Sequence, residues 1–283
     1  IAPDTTGQNF FRADQSLQDI LQIHLPENLW RPIEPHLDRL GAPAGDHLDN
    51  CARLADRHTP ILHQRDRFGR DEQYVEYHPA YRELERVAFG EFGIHAMSHR
   101  KGILGWNDTY PATAKHAFTY LFNQAEFGLG CPINVTDGGA MLLSRFGDKA
   151  LQDKYLDGLT QTDMAKLTQG AQFMTEKEGG SDVGSLTTVA KQEGDHWRLY
   201  GEKWFCSNAD AGVAMLLARP EGGKSGTRGV GLFLMPRKLD DGTQNHYRIV
   251  RLKDKLGTRS MASGEIKFDG AIAYAVGSLD RGF

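Results

Sequence analysis

The stretch of sequence with the clearest chemical potential is the polar loop Met174-Thr175-Glu176-Lys177-Glu178-Gly179-Gly180-Ser181-Asp182. It follows the apolar Phe173 and precedes a predicted strand. Two glycines and a serine at a turn can direct successive backbone N–H groups at an anion and so form a nest for phosphate. The hydroxyl groups of Thr175 and Ser181 would add donors. The residues predict either a phosphate or cofactor loop or an ordinary polar turn, and local chemistry does not separate the two.

A second segment, Gly201-Glu202-Lys203-Trp204-Phe205-Cys206-Ser207-Asn208, ends a predicted strand with two aromatic residues and a hydroxyl. An aromatic face beside a hydroxyl donor suits a flat heteroaromatic ligand, but a core strand with a polar end has the same pattern. A third segment, Asp254-Lys255-Leu256-Gly257-Thr258-Arg259-Ser260, is a polar turn between two predicted strands. Taken alone, this third segment predicts no more than a connection.

One candidate metal site is present in the sequence. Glu91, His95 and His99 have the i, i+4, i+8 spacing of one helix face, which suits metal ligands. No fourth ligand accompanies them, so the favoured interpretation is a mixed polar helix face and no metal residue is assigned.

Two further motifs favour structural interpretations. Gly222-Gly223-Lys224-Ser225 resembles the end of a phosphate-binding P-loop, but Ala218 stands where that motif requires its first glycine. A hairpin loop is therefore favoured. Cys131 is predicted to lie in a loop between helices, where a buried structural thiol is commoner than a reactive one. The sequence contains neither a G-x-G-x-x-G nor a G-x-S-x-G pattern, so a Rossmann site and a hydrolase triad are unsupported.

The elements that must position these segments divide into two groups. Apolar residues recur at helical spacing through the first part of the chain, with prolines at positions 26, 32 and 35 expected to break the pattern between the first two helices. Short apolar or alternating runs bounded by turn residues fill the second part. The predicted helices cover 17–25, 46–63, 79–95, 113–127, 138–146 and 148–159. The predicted strands cover 172–175, 186–192, 197–201, 203–206, 213–218, 231–235, 247–251 and 264–268.

This order predicts an α+β protein in which an N-terminal all-α domain, residues 1–170, precedes an antiparallel β-barrel or sandwich domain, residues 171–283. The 283 residues have a formal net charge of −4, which does not favour nucleic acid or anionic membranes. No apolar run approaches the ~20 residues of a membrane helix. Three widely spaced cysteines without a C-x-x-C pair predict a reducing, cytoplasmic setting.

Together, in this order and spacing, the three segments resemble the motifs of the acyl-CoA dehydrogenase family of flavoproteins. The family has a T-E-x-x-x-G-S-D loop, a G-x-K-x-(aromatic)-x-(S/T)-N strand and a turn that begins K-x-G-x-R and ends on a serine, and these correspond to residues 175–182, 201–208 and 255–260. The stretches 174–182 and 251–257 look like the AidB-like branch, which is associated with the bacterial alkylation response. Tyr77-His78-Pro79-Ala80 and Cys131-Pro132-Ile133 are similar to that branch as well.

The resemblance implies FAD as the cofactor. Phe173, Met174 and Thr175 would border the pyrimidine edge of the flavin, Thr175 through its hydroxyl and backbone. Gly180 and Ser181 would contact the pyrophosphate, in agreement with the anion-binding interpretation of the same loop.

The second motif implies contacts to the flavin ring. Phe205 takes the place of the family's flavin-stacking aromatic residue, and Ser207 that of the hydroxyl residue near flavin N5. Cys206 lies between them and would contribute its backbone. The family reaction is α,β-dehydrogenation of an acyl-CoA thioester: a carboxylate removes the α-proton while hydride passes from the β-carbon to flavin N5.

Family members carry a further C-terminal helical bundle, which supplies the catalytic glutamate and most subunit contacts. We expect this bundle to be absent from the sequence, which ends at Phe283, and no catalytic residue is assigned within it. The resemblance also implies a homo-oligomer, a tetramer in the family, with an acyl-CoA or related small molecule as substrate.

An alternative function is an AidB-like flavoprotein that binds DNA through the C-terminal bundle and has weak or vestigial dehydrogenase activity. A further alternative is a folded helical-plus-β piece with an incomplete, inactive site.

Overall fold

A computed structural model describes residues 4–283, and helices dominate the first part of them. Polar side chains cap the start of several helices: Asp14 accepts the Leu17 N–H at 2.9 Å and Asp148 accepts the Leu151 N–H at 2.8 Å. The helices are α1 (Phe10–Ala13), α2 (Gln15–His24), α3 (Glu27–Ala44), α4 (His47–Arg57), α5 (Pro79–Glu85), α6 (Ala112–Ala125), α7 (Gly130–Phe146) and α8 (Lys149–Leu159).

The expected break occurs at Pro26, which lies between α2 and α3, but it is wrong for Pro32 and Pro35. Helix α3 runs without interruption from Glu27 to Ala44 with Pro32, Pro35 and Pro43 inside it. An internal proline costs about 3 kcal/mol through its missing N–H and its clash with the preceding turn. The buried stripe of α3 offsets this cost, since it places Leu29, Trp30, Ile33, Leu37 and Leu40 in the core.

A β-hairpin interrupts the helical part where the sequence predicts the end of a helix. The helix predicted for residues 46–63 ends at Arg57, and β1 (Ile61–Arg65) then pairs with β2 (Asp71–Glu76). These strands are too polar to be recognised from their pattern. They are stabilised by a distant strand: the buried Gln73 side chain accepts the Ile249 N–H at 2.7 Å.

The long helix predicted for residues 79–95 is also divided. Helix α5 ends at Glu85 and is followed directly by a π-helical turn, Arg86–Glu91. Gly93, at a φ of 58°, then leads into the 3₁₀ turn Ile94–Ala96. A second 3₁₀ turn spans Ile103–Gly105. The positive φ of Gly93 is the point at which the helical direction is lost.

The second part is a closed β-barrel. Its strands are β3 (Gly170–Phe173), β4 (Val189–Glu193), β5 (His196–Ser207), β6 (Val213–Pro220), β7 (Gly231–Pro236), β8 (Tyr247–Leu252) and β9 (Ser263–Ala275). The order β6-β4-β5-β9-β7 returns to β6 through the β6–β7 pairing, while β3 lies outside β6 and β8 beside β9. The pairings are antiparallel as predicted except β3–β6 and β4–β6, which are parallel. The two strands predicted for 197–201 and 203–206 are one strand, β5.

The helices and the barrel share their packing. One cluster of buried side chains includes Phe118 and Leu121 of α6 together with Phe173 of β3 and Cys206 of β5. Strand β6 is buried on both faces, since Leu216 joins this cluster and Met215 joins a second one with Leu143 of α7. Among residues 4–283, no helix combines the length and the apolar character needed to cross a membrane.

Candidate functional site

The loop that follows β3 is anchored by a buried ion pair. Glu176 Oε1 lies 2.6 Å from Lys203 Nζ, and both side chains are fully excluded from solvent. Glu176 also accepts hydrogen bonds from the backbone and hydroxyl groups of Thr187 and Thr188. Burial opposes ionisation of Glu176, but the Lys203 ammonium and these donors hold the pKa of its carboxyl below the ordinary value. The pair therefore fixes the start of the loop against β5.

Backbone contacts place the predicted flavin-edge residues beside β5. Lys203 Nζ donates to the Met174 carbonyl at 3.2 Å, and the Trp204 N–H donates to the Thr175 carbonyl at 2.9 Å. Met174 and Thr175 are half-buried, whereas the Phe173 side chain is 1% exposed and packs in the core. Of these three residues, Phe173 can offer a ligand only its backbone.

Gly180 and Ser181 lie at the exposed tip of the same loop. Their backbone N–H groups donate to no acceptor within residues 4–283, and a Cβ added to Gly180 would meet nothing within 4 Å. Neither Gly179 nor Gly180 has a positive φ, so the loop lacks the left-handed residue of one common nest form. It nevertheless presents open donors that suit an anion such as a pyrophosphate.

At the end of β5, side-chain alternation places Cys206 on one face of the strand and Phe205 and Ser207 on the other. Cys206 points into the barrel and is fully buried, and burial raises the pKa of its thiol far above the ordinary value. Phe205 and Ser207 point the other way: Phe205 is 48% exposed and Ser207 is half-buried. An aromatic ring and a hydroxyl therefore share one face of the strand.

That face lines a cleft of about 300 Å³ between the helical part and the barrel. The helical side contributes Phe127, Cys131 and Asn134, and the barrel side contributes Phe205, Ser207 and Ser263. A mainly apolar cleft with a few polar groups is the usual form of a small-molecule site. It suits the ring of a flavin or the acyl part of a substrate. Gly180 and Ser181 do not line this cleft.

The third predicted segment closes the barrel side of the cleft. Lys255 Nζ donates to the Met261 carbonyl at 2.8 Å and to Ser263 Oγ at 3.0 Å. Ser260 Oγ donates to the buried Glu126 carboxylate at 2.7 Å. Glu126 also accepts the Gly128 N–H at 2.8 Å, so one carboxylate joins this turn to the start of α7.

Sequence reasoning missed the positioning roles of Glu176, Lys203, Glu126 and Asn208. The Asn208 side chain is buried and donates to the Gly170 carbonyl at 2.9 Å, which ties the end of β5 to the start of β3. The available signal was a charged or amide residue next to apolar positions within a motif. Burial of such groups requires a partner, but the sequence does not say which one.

The weaker sequence candidates do not form sites. Glu91 pairs with Arg39 at 2.9 Å, His95 Nε2 lies 3.0 Å from the Gln161 carbonyl, and His99 Nε2 lies 2.6 Å from Asp137. The shared helix face predicted for Glu91, His95 and His99 is therefore wrong. Within the described range, no cluster of three or more His, Cys, Asp or Glu side chains is arranged to hold a metal ion.

The remaining motifs have structural settings. Residues 222–225 lie in the exposed turn between β6 and β7, as the hairpin interpretation predicts. Cys131 was expected in a loop but lies in the first turn of α7. Burial raises the pKa of its thiol, which opposes a reactive thiolate.

Two family descriptions match consecutive parts of this chain. The adaptive response protein AidB N-terminal domain matches residues 1–165, and the acyl-CoA dehydrogenase middle domain matches residues 171–271. The first match alone covers more than half of the chain.

Individual relatives agree with these matches. Acyl-CoA dehydrogenase family member 11 of Caenorhabditis elegans is 32% identical over 98% of this chain and 46% of its own length. The putative acyl-CoA dehydrogenase AidB of Escherichia coli is 35% identical over 81% of this chain and 42% of its own length. The crystal structure of C. elegans ACDH-11 in complex with C11-CoA superposes with a TM-score of 0.88 at 30% identity, covering 100% of this chain and 48% of that one. The chain thus spans less than half the length of these relatives.

Proposed function

The chain belongs to the acyl-CoA dehydrogenase family, in its AidB-like branch, and from this we propose that it provides the FAD-binding face of an acyl-CoA dehydrogenase-type oxidoreductase. The observation that carries the proposal is the cleft in which Phe205 and Ser207 of β5 face α7 across about 300 Å³. It brings an exposed aromatic ring and a hydroxyl donor to one face, as binding of a flat heteroaromatic ring requires.

In this proposal, the described residues bind and orient the cofactor. Phe205 packs against the flavin ring, and Ser207 donates a hydrogen bond to a ring acceptor. Met174 and Thr175 border the pyrimidine edge, while Phe173 and Cys206 contribute backbone only because their side chains are buried. The open N–H groups of Gly180 and Ser181, together with the Ser181 hydroxyl, bind the pyrophosphate.

The proposed substrate is an acyl-CoA thioester, which is supported by the C11-CoA complex of the C. elegans relative. When bound, FAD supplies the hydride acceptor for α,β-dehydrogenation. The residues of this chain hold the ring, present the Ser207 donor and shield the cleft on its helical side. The base that removes the α-proton is not assigned to any of them.

The first test is the visible absorption spectrum of the purified protein after incubation with FAD and desalting. We expect flavin bands to persist, and anaerobic addition of an acyl-CoA series to bleach them with at least one chain length. A protein that remains colourless after FAD addition would contradict cofactor binding. Retained flavin that no acyl-CoA bleaches, together with salt-dependent DNA binding, would favour the DNA-binding alternative instead. The net charge of −4 gives that alternative no support within this chain.

Replacing Ser181 by alanine should weaken FAD binding by about 10- to 150-fold, because a hydrogen bond to a charged group contributes about 1.5–3 kcal/mol. The dissociation constant can be measured by fluorescence quenching of free FAD. Ser225→Ala, at an exposed serine in the β6–β7 turn, is the matched control and should bind FAD like the wild type. Equal affinity of the Ser181 variant and this control would remove the Ser181 hydroxyl from the pyrophosphate site.

A further inference from the structure

Lys255 differs from Lys253, with which it lines a pocket that adjoins the cleft through Met261 and Ser263. Lys253 Nζ pairs with the Glu265 carboxylate at 2.7 Å. Lys255 has no carboxylate partner within ion-pair distance in the part of the chain that the structure describes. Its two close acceptors are uncharged, the Met261 carbonyl at 2.8 Å and Ser263 Oγ at 3.0 Å. A half-buried lysine with only neutral acceptors calls for a role other than charge pairing.

The contacts of Lys255 lead to Ser207. Ser263 of β9 is the cross-strand neighbour of Ser207 of β5, and their hydroxyl oxygens are 3.5 Å apart. An ammonium group can only donate, so the bond from Lys255 occupies an acceptor position of Ser263 Oγ and leaves the Ser263 proton free to point toward Ser207. Ser207 then accepts from Ser263, and its own proton is available to the cleft.

The groups around Ser263 and Ser207 also favour a hydrogen bond in which the Ser263 hydroxyl donates to Ser207. The Cys131 thiol lies beside Ser207 and is a weak donor and acceptor, and Met261 Sδ lies 3.6 Å from Ser263 Oγ. Met261 Sδ is an alternative acceptor for the Ser263 proton, but a thioether sulfur is a weaker acceptor than the Ser207 hydroxyl. The separation of 3.5 Å is long for an O–H···O bond, so the orientation of Ser207 depends on how firmly Ser263 is held.

We propose that Lys255 is a positioning residue that, through Ser263, orients the Ser207 hydroxyl as a donor to an acceptor nitrogen of the heteroaromatic ring bound in the cleft. This inference rests on the proposed function of the same cleft. The third sequence segment, residues 254–260, would then influence the hydrogen bond to the bound ring as well as connect two strands.

A consequence of this arrangement is pH dependence in the alkaline range. Burial lowers the pKa of Lys255 to about 8, with the Cys131 thiol and the Glu126 carboxylate acting in the opposite direction. Above this pH the amine has lost a proton and gained a lone pair, so Ser263 is no longer compelled to accept from it. The hydrogen bond from Ser207 to the ring should weaken in the same pH range.

The test uses the FAD-loaded protein and its flavin absorption spectrum between pH 6 and 10. The wild type should show a spectral change with a midpoint near pH 8, which is the value that burial imposes on Lys255. Lys255→Met should abolish this change while FAD stays bound, and Lys255→Arg should retain the low-pH spectrum throughout because arginine remains protonated. Lys267→Met, at an exposed lysine of β9, is the control.

A double-variant comparison separates positioning from general disturbance. Ser207→Ala and Lys255→Met should shift the flavin spectrum in the same sense, and the double variant should shift it no further than Ser207→Ala alone. Additive shifts, or a Lys255→Met spectrum and pH profile identical to the wild type, would overturn the proposal.

A measurement without FAD distinguishes failure of this inference from failure of the proposed function. The lysine ¹³Cε resonance of Lys255, assigned by its loss in Lys255→Met, should titrate near pH 8 and move to lower pH in Ser263→Ala, because an acceptor of the ammonium is lost. Titration near the ordinary lysine value, or no response to Ser263→Ala, would refute the contact itself. Titration of Lys255 near pH 8, in a protein that never binds FAD, would confirm the contact but refute its role in the cleft together with the proposed function.

Discussion

Replacing Lys203 by methionine should lower the free energy of unfolding by about 3–5 kcal/mol, because it leaves the Glu176 carboxylate buried without its partner. Both side chains are fully buried, with Nζ and Oε1 2.6 Å apart. The four donor groups of Thr187 and Thr188 that bond to Glu176 cannot replace the lost positive charge. Urea denaturation monitored by circular dichroism measures the change.

Two variants make this prediction specific. Lys191→Met breaks the exposed ion pair between Lys191 and Glu221 and should cost less than about 1 kcal/mol. The double variant Lys203→Met/Glu176→Leu removes both buried charges and should be more stable than Lys203→Met alone. If Lys203→Met were as mild as Lys191→Met, the ion pair would not be what holds the loop after β3.

The Lys203→Met variant also tests the candidate cofactor site. Because Lys203 also donates to the Met174 carbonyl, its loss releases the segment that borders the cleft. We therefore expect FAD retention to fall together with stability in Lys203→Met and to recover only in part in the double variant, which restores packing but not this hydrogen bond.

Acidification should destabilise the protein through His95. This side chain is fully buried beside Phe89, and burial lowers the pKa of its imidazole to about 3. Its Nε2 meets the Gln161 carbonyl at 3.0 Å and must donate, whereas Nδ1 has no partner among the described residues. Protonation would place a buried, unpaired N–H and a positive charge in the core.

Proton linkage gives the direction in which the free energy of unfolding changes with pH. Between the ordinary pKa of about 6.5 and the folded value of about 3, the unfolded chain binds the proton and the folded chain does not. The contribution of His95 is complete above pH 6.5 and is lost as pH falls toward 3, at about 1.4 kcal/mol per pH unit and about 4–5 kcal/mol in total.

His95→Gln should flatten this dependence, since glutamine can keep the donor to the Gln161 carbonyl but does not titrate. The free energy of unfolding is measured at pH 7, 6, 5 and 4. His24→Gln, at an exposed histidine near the end of α2, should retain the steep fall. A wild-type slope in His95→Gln would show that other groups carry the acid sensitivity.

Much of the architecture follows from local pattern. The helical spacing of apolar residues predicted α2, α6 and α8 with small differences at the ends, but only the second half of α7, which begins at Gly130 and not at residue 138. Alternation with turn residues predicted the barrel strands. The three motifs identified the family because their order and spacing are jointly improbable, although each is weak alone. These features are local or nearly so, and periodicity records them directly.

Other features depended on contacts between distant segments. Helix α3 tolerates three internal prolines because its buried stripe packs against neighbours, and the polar hairpin β1–β2 is held by Gln73 contacts to β8, 176 residues away in sequence. Parallel pairing of β3 and β4 with β6 likewise has no local signature.

For the candidate site, the sequence by itself determined the residue types: a glycine-serine loop, an aromatic residue beside a hydroxyl, and a lysine-containing turn. Only the tertiary structure decided that Phe205 and Ser207 face α7 across a cleft while Cys206 and Phe173 are buried, and that Lys203 and Lys255 have different partners. The physical reason is that a side chain's burial, partner and pKa are set by groups brought together from separate elements, and one-dimensional spacing does not encode which elements meet.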